Sequence, residues 1–85
     1  MDNNKLAIIE KLEFFLSRKI KVHITKENKE FLNGYLKTKE ADGIYILDRF
    51  DQEKNIGLTY VFVSEVFDVE EFKDKDIMEG NHKDD

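Results

Sequence analysis

The first apolar segment of the chain has the spacing of an amphipathic helix. Its larger hydrophobic residues recur at i, i+1, i+4, i+7 and i+8, a spacing that places them on one helical face. They are Ile8, Ile9, Leu12, Phe15 and Leu16. Two basic residues, Arg18 and Lys19, follow and suit the negative end of the helix dipole. The pattern predicts a helix over residues 4–17.

From residue 20 the hydrophobic period changes from helical to twofold. The stretch "IKVHI" places Ile20, Val22 and Ile24 on one face and two polar residues, Lys21 and His23, on the other. This alternation predicts a half-buried strand. The polar run "TKENKE" that follows predicts a turn.

Within that turn, Asn28 is the residue best suited to a left-handed conformation. Residues 31–39, "FLNGYLKTK", then resume the alternation and predict a second strand, with Gly34 marking a sharp bend or bulge. Asp42-Gly43 predicts a tight turn. A third strand is predicted at residues 44–50, "IYILDRF", and a polar loop at 51–57, "DQEKNIG".

The richest apolar stretch is "TYVFVSEVFDVEEF", residues 59–72. Tyr60 and Phe62 alternate with valines, so this strand is apolar on both faces, which favours one face in a core and the other against a partner. The pattern stops at Ser64-Glu65 and restarts at Val66, which predicts two short strands joined by a one-turn corner. Such corners let a sheet curl onto itself.

The order of these elements predicts a mainly β fold. It consists of an N-terminal α-helix followed by a strongly bent, five-stranded antiparallel small barrel. We expect one domain over residues 1–72, with the helix at 4–17 and the barrel at 19–72. Residues 73–85 are predicted to be a mobile acidic tail, because only two of their side chains are large and apolar.

Size and composition favour self-assembly. A chain of 85 residues without cysteine is near the lower limit for folding on its own core and has no disulfide to stabilise it. No apolar run approaches the roughly 20 residues that a membrane helix needs, and "MDNNK" is unlike the basic start of a signal peptide. We therefore expect a cytoplasmic oligomer with no membrane partner.

The net charge of −5 is unevenly distributed. Residues 1–40 carry nine Lys/Arg and six Asp/Glu, whereas residues 41–85 carry five and thirteen. A nucleic-acid binder presents a basic face, which here must come from the first half. The candidate phosphate contacts are Arg18, Lys19, Lys21, Lys37 and Lys39. The alternative is an ordinary solvated surface of mixed charge.

Little in the chain points to catalysis or to a cofactor. A nucleophile needs a base and an orienting group within reach, and only a chance approach of Ser64 to His23 would supply such a pair. The acidic run at residues 68–80 lacks the ligand spacing of a calcium loop, because lysines interrupt it. We predict no enzyme activity, no metal and no cofactor.

The pattern of glycine and apolar positions over residues 4–72 resembles the Sm-like family, which includes the Lsm proteins and bacterial Hfq. Gly34-Tyr35-Leu36 matches the Gly-x-Leu of the family's bent second strand, and residues 44–47 match its apolar third strand. Residues 60–69, "YVFVSEVFDV", match its strand–corner–strand motif. The resemblance implies a helix on a bent barrel, ring assembly and RNA binding.

The family's uridine-binding residues are missing. Its Asp-x-x-x-Asn loop corresponds to "KEADG", with Gly43 or Ile44 in place of asparagine. Its Arg-Gly or Lys-His corner corresponds to Val63-Ser64. Reading a base requires hydrogen-bonding and stacking groups, which valine lacks. Uridine readout by the usual pocket is therefore not expected.

These observations lead to an Sm-like module that assembles with itself or with related Sm-like chains into a ring. Its predicted function is RNA binding or scaffolding in RNA metabolism with weak base specificity, and the predicted nucleic-acid partner is single-stranded RNA. The alternatives are a protein-interaction barrel that has lost the RNA pocket, and a different SH3-like or translation-associated barrel. The predicted oligomer interface comprises Tyr60, Phe62, Val66, Phe67 and Val69.

Overall fold

The computed structural model describes residues 3–73 and contains one helix followed by five strands. The α-helix α1 spans Asn3–Arg18. The strands are β1 (Val22–Lys26), β2 (Phe31–Ala41), β3 (Ile44–Asp51), β4 (Lys54–Phe62) and β5 (Val66–Glu71), with a short 3-10 turn at Val63–Glu65 between the last two. All pairings are antiparallel, in the order β4-β3-β2-β1-β5. The predicted mainly β class, with an N-terminal helix and five antiparallel strands, is confirmed.

The core lies between the helix and the inner face of the sheet. Ile8 and Leu12 of α1 are buried, and the remaining residues of the predicted helical face pack partly against the same core. The sheet contributes Val22, Ile24, Leu36, Tyr45, Leu47, Val61, Val63, Val66 and Val69. The alternating valines of the 59–72 stretch therefore face inward.

The helix ends in a Schellman motif, which delays the first strand. Lys19 has a positive φ of 58°, and its N–H donates to the Leu16 carbonyl. The Ile20 N–H donates to the Phe15 carbonyl at 3.2 Å. Because Ile20 completes this cap, β1 begins at Val22 rather than at Ile20 as predicted.

The turn between β1 and β2 uses a different residue from the one predicted. The left-handed residue is Lys29, with φ 75°, and not Asn28. The Asn28 side chain instead accepts a hydrogen bond from the Glu30 N–H at 3.0 Å. Asparagine thus stabilises this turn through its side-chain oxygen rather than through its backbone.

Gly34 lies at a close approach of β2 to the main chain of β3. A Cβ added there would overlap the Asp48 carbonyl oxygen and lie 2.9 Å from its carbonyl carbon. The shifts in register of β2 occur further along, between Leu36 and Thr38 and between Lys39 and Ala41. The predicted irregularity of β2 is real, but its bulges follow Gly34 rather than coincide with it.

The predicted loop at residues 51–57 is wrong. The chain turns at Gln52, which has φ 60°, and β4 starts at Lys54. A bulge between Arg49 and Phe50 and a positive φ at Gly57 keep this strand paired with β3. Glycine and polar residues suggested a loop, whereas pairing with β3 makes this segment a strand.

The 3-10 turn connects the two edge strands of the sheet. Its ends are fixed by neighbouring turns, because the Val63 N–H donates to the Gly43 carbonyl and the Glu27 N–H donates to the Glu65 carbonyl. Since three residues join β4 to β5, the two edges approach each other at this corner. The predicted one-turn corner is confirmed. The predicted tail lies outside the described residues from position 74 onward.

Candidate functional site

The outer face of β4 is apolar and exposed along most of its length. Ile56, Leu58, Tyr60 and Phe62 occupy alternate positions and are 43%, 63%, 57% and 39% exposed. The Tyr60 and Phe62 ring centroids lie 6.0 Å apart. A sheet edge lined by exposed hydrophobic side chains is a template for pairing with another chain.

The β5 edge is shorter than the β4 edge and carries one exposed aromatic residue. Phe67 is 61% exposed, whereas Val66 and Val69 are 1% and 0% exposed. The two valines were predicted as interface side chains, but they fill the core of their own chain. They can reach a neighbouring chain only through their main-chain groups.

Sequence reasoning missed the first half of the β4 surface. Ile56 and Leu58 extend the alternation of Tyr60 and Phe62, and that alternation was the available signal. It was obscured because Gly57 and the polar residues before it favour a loop.

The structure divides the five predicted basic residues into two groups. Lys37 lies in the first bulge of β2, between Leu36 and Thr38, and Lys39 lies beyond that bulge. The Lys39 Nζ is 3.5 Å from Glu13 Oε2 and 3.6 Å from Asp42 Oδ1. Two carboxylates therefore offset the charge of Lys39, while Lys37 is exposed.

The other three lie at the carboxyl end of α1 and just after it. Arg18 places its guanidinium 4.8 Å from the Phe14 ring centroid. The Lys21 Nζ lies 4.3 Å from the Phe72 ring centroid and donates to the Gln52 carbonyl at 3.3 Å. Arg18 and Lys19, which lies in the helix cap, are exposed, whereas Lys21 is half-buried.

The loops that correspond to the family's base-binding loops do come together. They line an open groove of about 650 Å³ at the corner between β4 and β5. The groove is lined by Lys5, Asp42, Gly43, Ile44, Phe62, Val63 and Ser64. Val63 is 2% exposed, so its side chain offers nothing to a base. The groove therefore lacks the base-contacting residues at the positions that the resemblance assigns to them, where Gly43, Ile44 and Val63 stand instead.

Lys5 is a groove residue that sequence reasoning missed. Its Nζ donates to Glu27 Oε2 at 2.9 Å and to the Val66 carbonyl at 2.7 Å. The ammonium group thus joins the start of α1 to the β1–β2 turn and to the first residue of β5. Nothing local in the sequence indicates this, because the partners are distant along the chain.

Neither the catalytic pair nor a metal site is formed by the described residues. His23 Nδ1 lies 2.6 Å from Asn33 Oδ1, and its cross-strand neighbours are Asn33 and Glu70 rather than Ser64. No cluster of three or more potential metal ligands occurs within residues 3–73. No helix in that part of the chain is long and apolar enough to cross a membrane.

Tyr45 connects the sheet to the helix through a buried hydroxyl group. The hydroxyl donates to Glu13 Oε2 at 2.6 Å, and the residue is 0% exposed. Burial raises the pKa of Tyr45 far above its usual value, and the Glu13 hydrogen bond and the charges of Glu13 and Asp42 raise it further. The folded state therefore stabilises the neutral, protonated form of Tyr45.

This environment predicts a loss of stability at alkaline pH. An unfolded tyrosine ionises near pH 10, whereas folded Tyr45 stays protonated, so its contribution is complete below about pH 10 and declines above it. Urea unfolding measures the difference in the free energy of unfolding between the protein and Tyr45→Phe. This difference should shrink by up to about 1.4 kcal/mol for each pH unit above about pH 10. A difference that is constant from neutral to strongly alkaline pH would contradict the assignment.

Comparisons with protein-family models, curated proteins and solved structures find no significant match to this chain. The Sm-like resemblance therefore stays a hypothesis that rests on the residues quoted above.

Proposed function

We propose that this chain is an Sm-like small-barrel module that assembles head to tail with copies of itself, through pairing of β4 of one copy with β5 of the next. The observation that carries the proposal is the pair of free sheet edges, both flanked by exposed aromatic side chains. The edges differ, so the contact is heterologous, and a closed ring is the arrangement that leaves no edge unpaired.

The distribution of side chains favours antiparallel pairing between copies. The apolar end of β4 carries Tyr60 and Phe62, and the apolar start of β5 carries Phe67. Antiparallel alignment brings these ends together, whereas parallel alignment would place Phe62 against the Glu70-Glu71 end of β5. Burying aromatic rings against each other is more favourable than burying them against carboxylates.

The function proposed for the assembly is RNA binding or scaffolding in RNA metabolism, with weak base specificity. The exposed Arg18 and Lys19 and the half-buried Lys21 supply a basic group, and repetition around a ring would multiply it. Base discrimination is weak in this proposal because the corner groove presents the buried Val63 where a base-contacting residue would be needed.

Binding to RNA should therefore be dominated by phosphate contacts. Titration of U-, A- and C-rich oligonucleotides at two salt concentrations should give similar affinities that fall with roughly one unit of log–log slope per phosphate neutralised. Replacing Lys19 and Lys21 by Glu should weaken every sequence alike, and Ser64→Ala should change nothing. A strong preference for one base that is lost in Ser64→Ala would contradict this mode.

A second candidate is a protein-interaction barrel without RNA binding. It is favoured by the ion pairs of Lys39 with Glu13 and Asp42 and by that of Lys5 with Glu27, which offset basic charge around the corner groove. The same titration separates the two, because this candidate predicts an assembled protein that binds none of the oligonucleotides at low salt.

A further inference from the structure

A second groove lies on the outer face of the sheet where β1 and β5 pair, away from the corner. Its volume is about 540 Å³, within the roughly 300–1,000 Å³ typical of ligand pockets. It is lined by His23, Phe31, Glu70, Glu71, Phe72 and Lys73. The aromatic side chains of the proposed assembly contact, Tyr60, Phe62 and Phe67, are not among the residues that line this groove.

The groove presents two aromatic walls. Phe31 is 61% exposed, and one face of its ring is covered by His23 at a centroid distance of 4.9 Å. The Phe72 ring already receives a cation, since the Lys21 Nζ lies 4.3 Å from its centroid. Because Lys21 already occupies the Phe72 ring, the exposed face of Phe31 is the aromatic surface that remains for a positively charged ligand.

The polar groups that line the groove are mostly hydrogen-bond acceptors. Glu70 and Glu71 are exposed, and within residues 3–73 neither has an ion-pair partner. His23 Nδ1 lies 2.6 Å from Asn33 Oδ1, a contact that holds the imidazole ring beside Phe31. Lys73 is the one cationic side chain among the lining residues.

We propose that this groove binds an arginine side chain from an extended segment of a partner protein. A guanidinium group offers five N–H donors to the acceptors and a flat face to Phe31, which a compact ammonium group cannot match. The carboxylates of Glu70 and Glu71 also repel the phosphates of a nucleic acid, so the expected ligand is a basic peptide. The volume exceeds that of one side chain, which leaves room for the adjoining peptide.

The test is calorimetric titration of the full chain with acetyl-Gly-Arg-Gly-amide. We expect the citrulline peptide, which has the same shape without the charge, to bind at least about tenfold more weakly. Glu70→Gln with Glu71→Gln should cause a similar loss, and Phe31→Leu should cost about two- to fivefold. The matched control, Glu40→Gln with Glu53→Gln, makes the same change in net charge at exposed positions outside the groove and should bind normally.

Several results would overturn the proposal. Equal binding of the arginine and citrulline peptides, or no binding of either, would exclude a guanidinium site. If the corresponding lysine peptide binds as tightly as the arginine peptide, recognition of a planar guanidinium group is excluded. If free arginine amide binds as tightly, a peptide ligand is excluded. Equal losses of affinity in the groove variant and in the control variant would mean that net charge alone causes the effect.

Discussion

Charge placed on either free edge should dissociate the proposed assembly. Tyr60→Glu puts a carboxylate on the exposed face of β4, and Phe67→Glu does the same on β5. Both side chains point away from the core of their own chain, so each variant should remain folded. Loss of a central interface aromatic typically costs about 2 kcal/mol or more per contact, and a ring repeats the contact. Light scattering should report a monomer for each variant.

Mixing the two variants tests the head-to-tail arrangement. The Tyr60→Glu chain keeps a normal β5 edge, and the Phe67→Glu chain keeps a normal β4 edge, so together they should form a one-to-one dimer and nothing larger. Phe14→Glu is the matched control, because this exposed phenylalanine lies on α1 and not on an edge strand. A Phe14→Glu variant that dissociates, or edge variants that stay assembled, would show that the interface lies elsewhere.

Gly34→Ala should destabilise the fold strongly, although it adds only one methyl group. The added Cβ would overlap the main-chain carbonyl of Asp48, and backbone in a paired strand cannot move aside as a flexible side chain can. Overpacking of this kind costs about 1–3 kcal/mol and sometimes more, and we expect a loss of at least about 3 kcal/mol. Urea unfolding followed by circular dichroism measures it.

Gly57→Ala is the control for Gly34→Ala. Nothing lies within 4 Å of a Cβ at Gly57, so only the backbone conformation at φ 107° opposes the substitution. The expected cost is about 1–2 kcal/mol. Equal losses at both glycines would mean that backbone conformation, and not the close approach of β3, explains the requirement at Gly34.

The elements with strong periodicity could be predicted from the sequence. The helical spacing of Ile8 and Leu12 and the twofold spacing of Val61 and Val63 both identified side chains that are buried. Periodicity is informative there because one face of each element must exclude water. It failed at Val66 and Val69, where the bulge in the β1–β5 pairing sends both valines into the core.

The first half of β4 and the state of the lysines could not be predicted in the same way. Residues 54–57 are held as a strand by pairing with β3, which outweighs the local preference of Gly57 and its polar neighbours for a loop. In the sequence Lys39 looks like an unpaired basic residue, but one of its two carboxylate partners, Glu13, comes from the helix. Contacts between distant segments leave no local pattern, so charge counted along the chain overstated the basic surface.

Native mass spectrometry of the full, unmodified chain tests the central claim of head-to-tail self-assembly most directly. The account predicts one closed oligomer of more than two identical chains at tens of micromolar, with little monomer. A monomer at that concentration would contradict self-assembly, and a dimer as the sole species would contradict pairing of β4 with β5 around a ring.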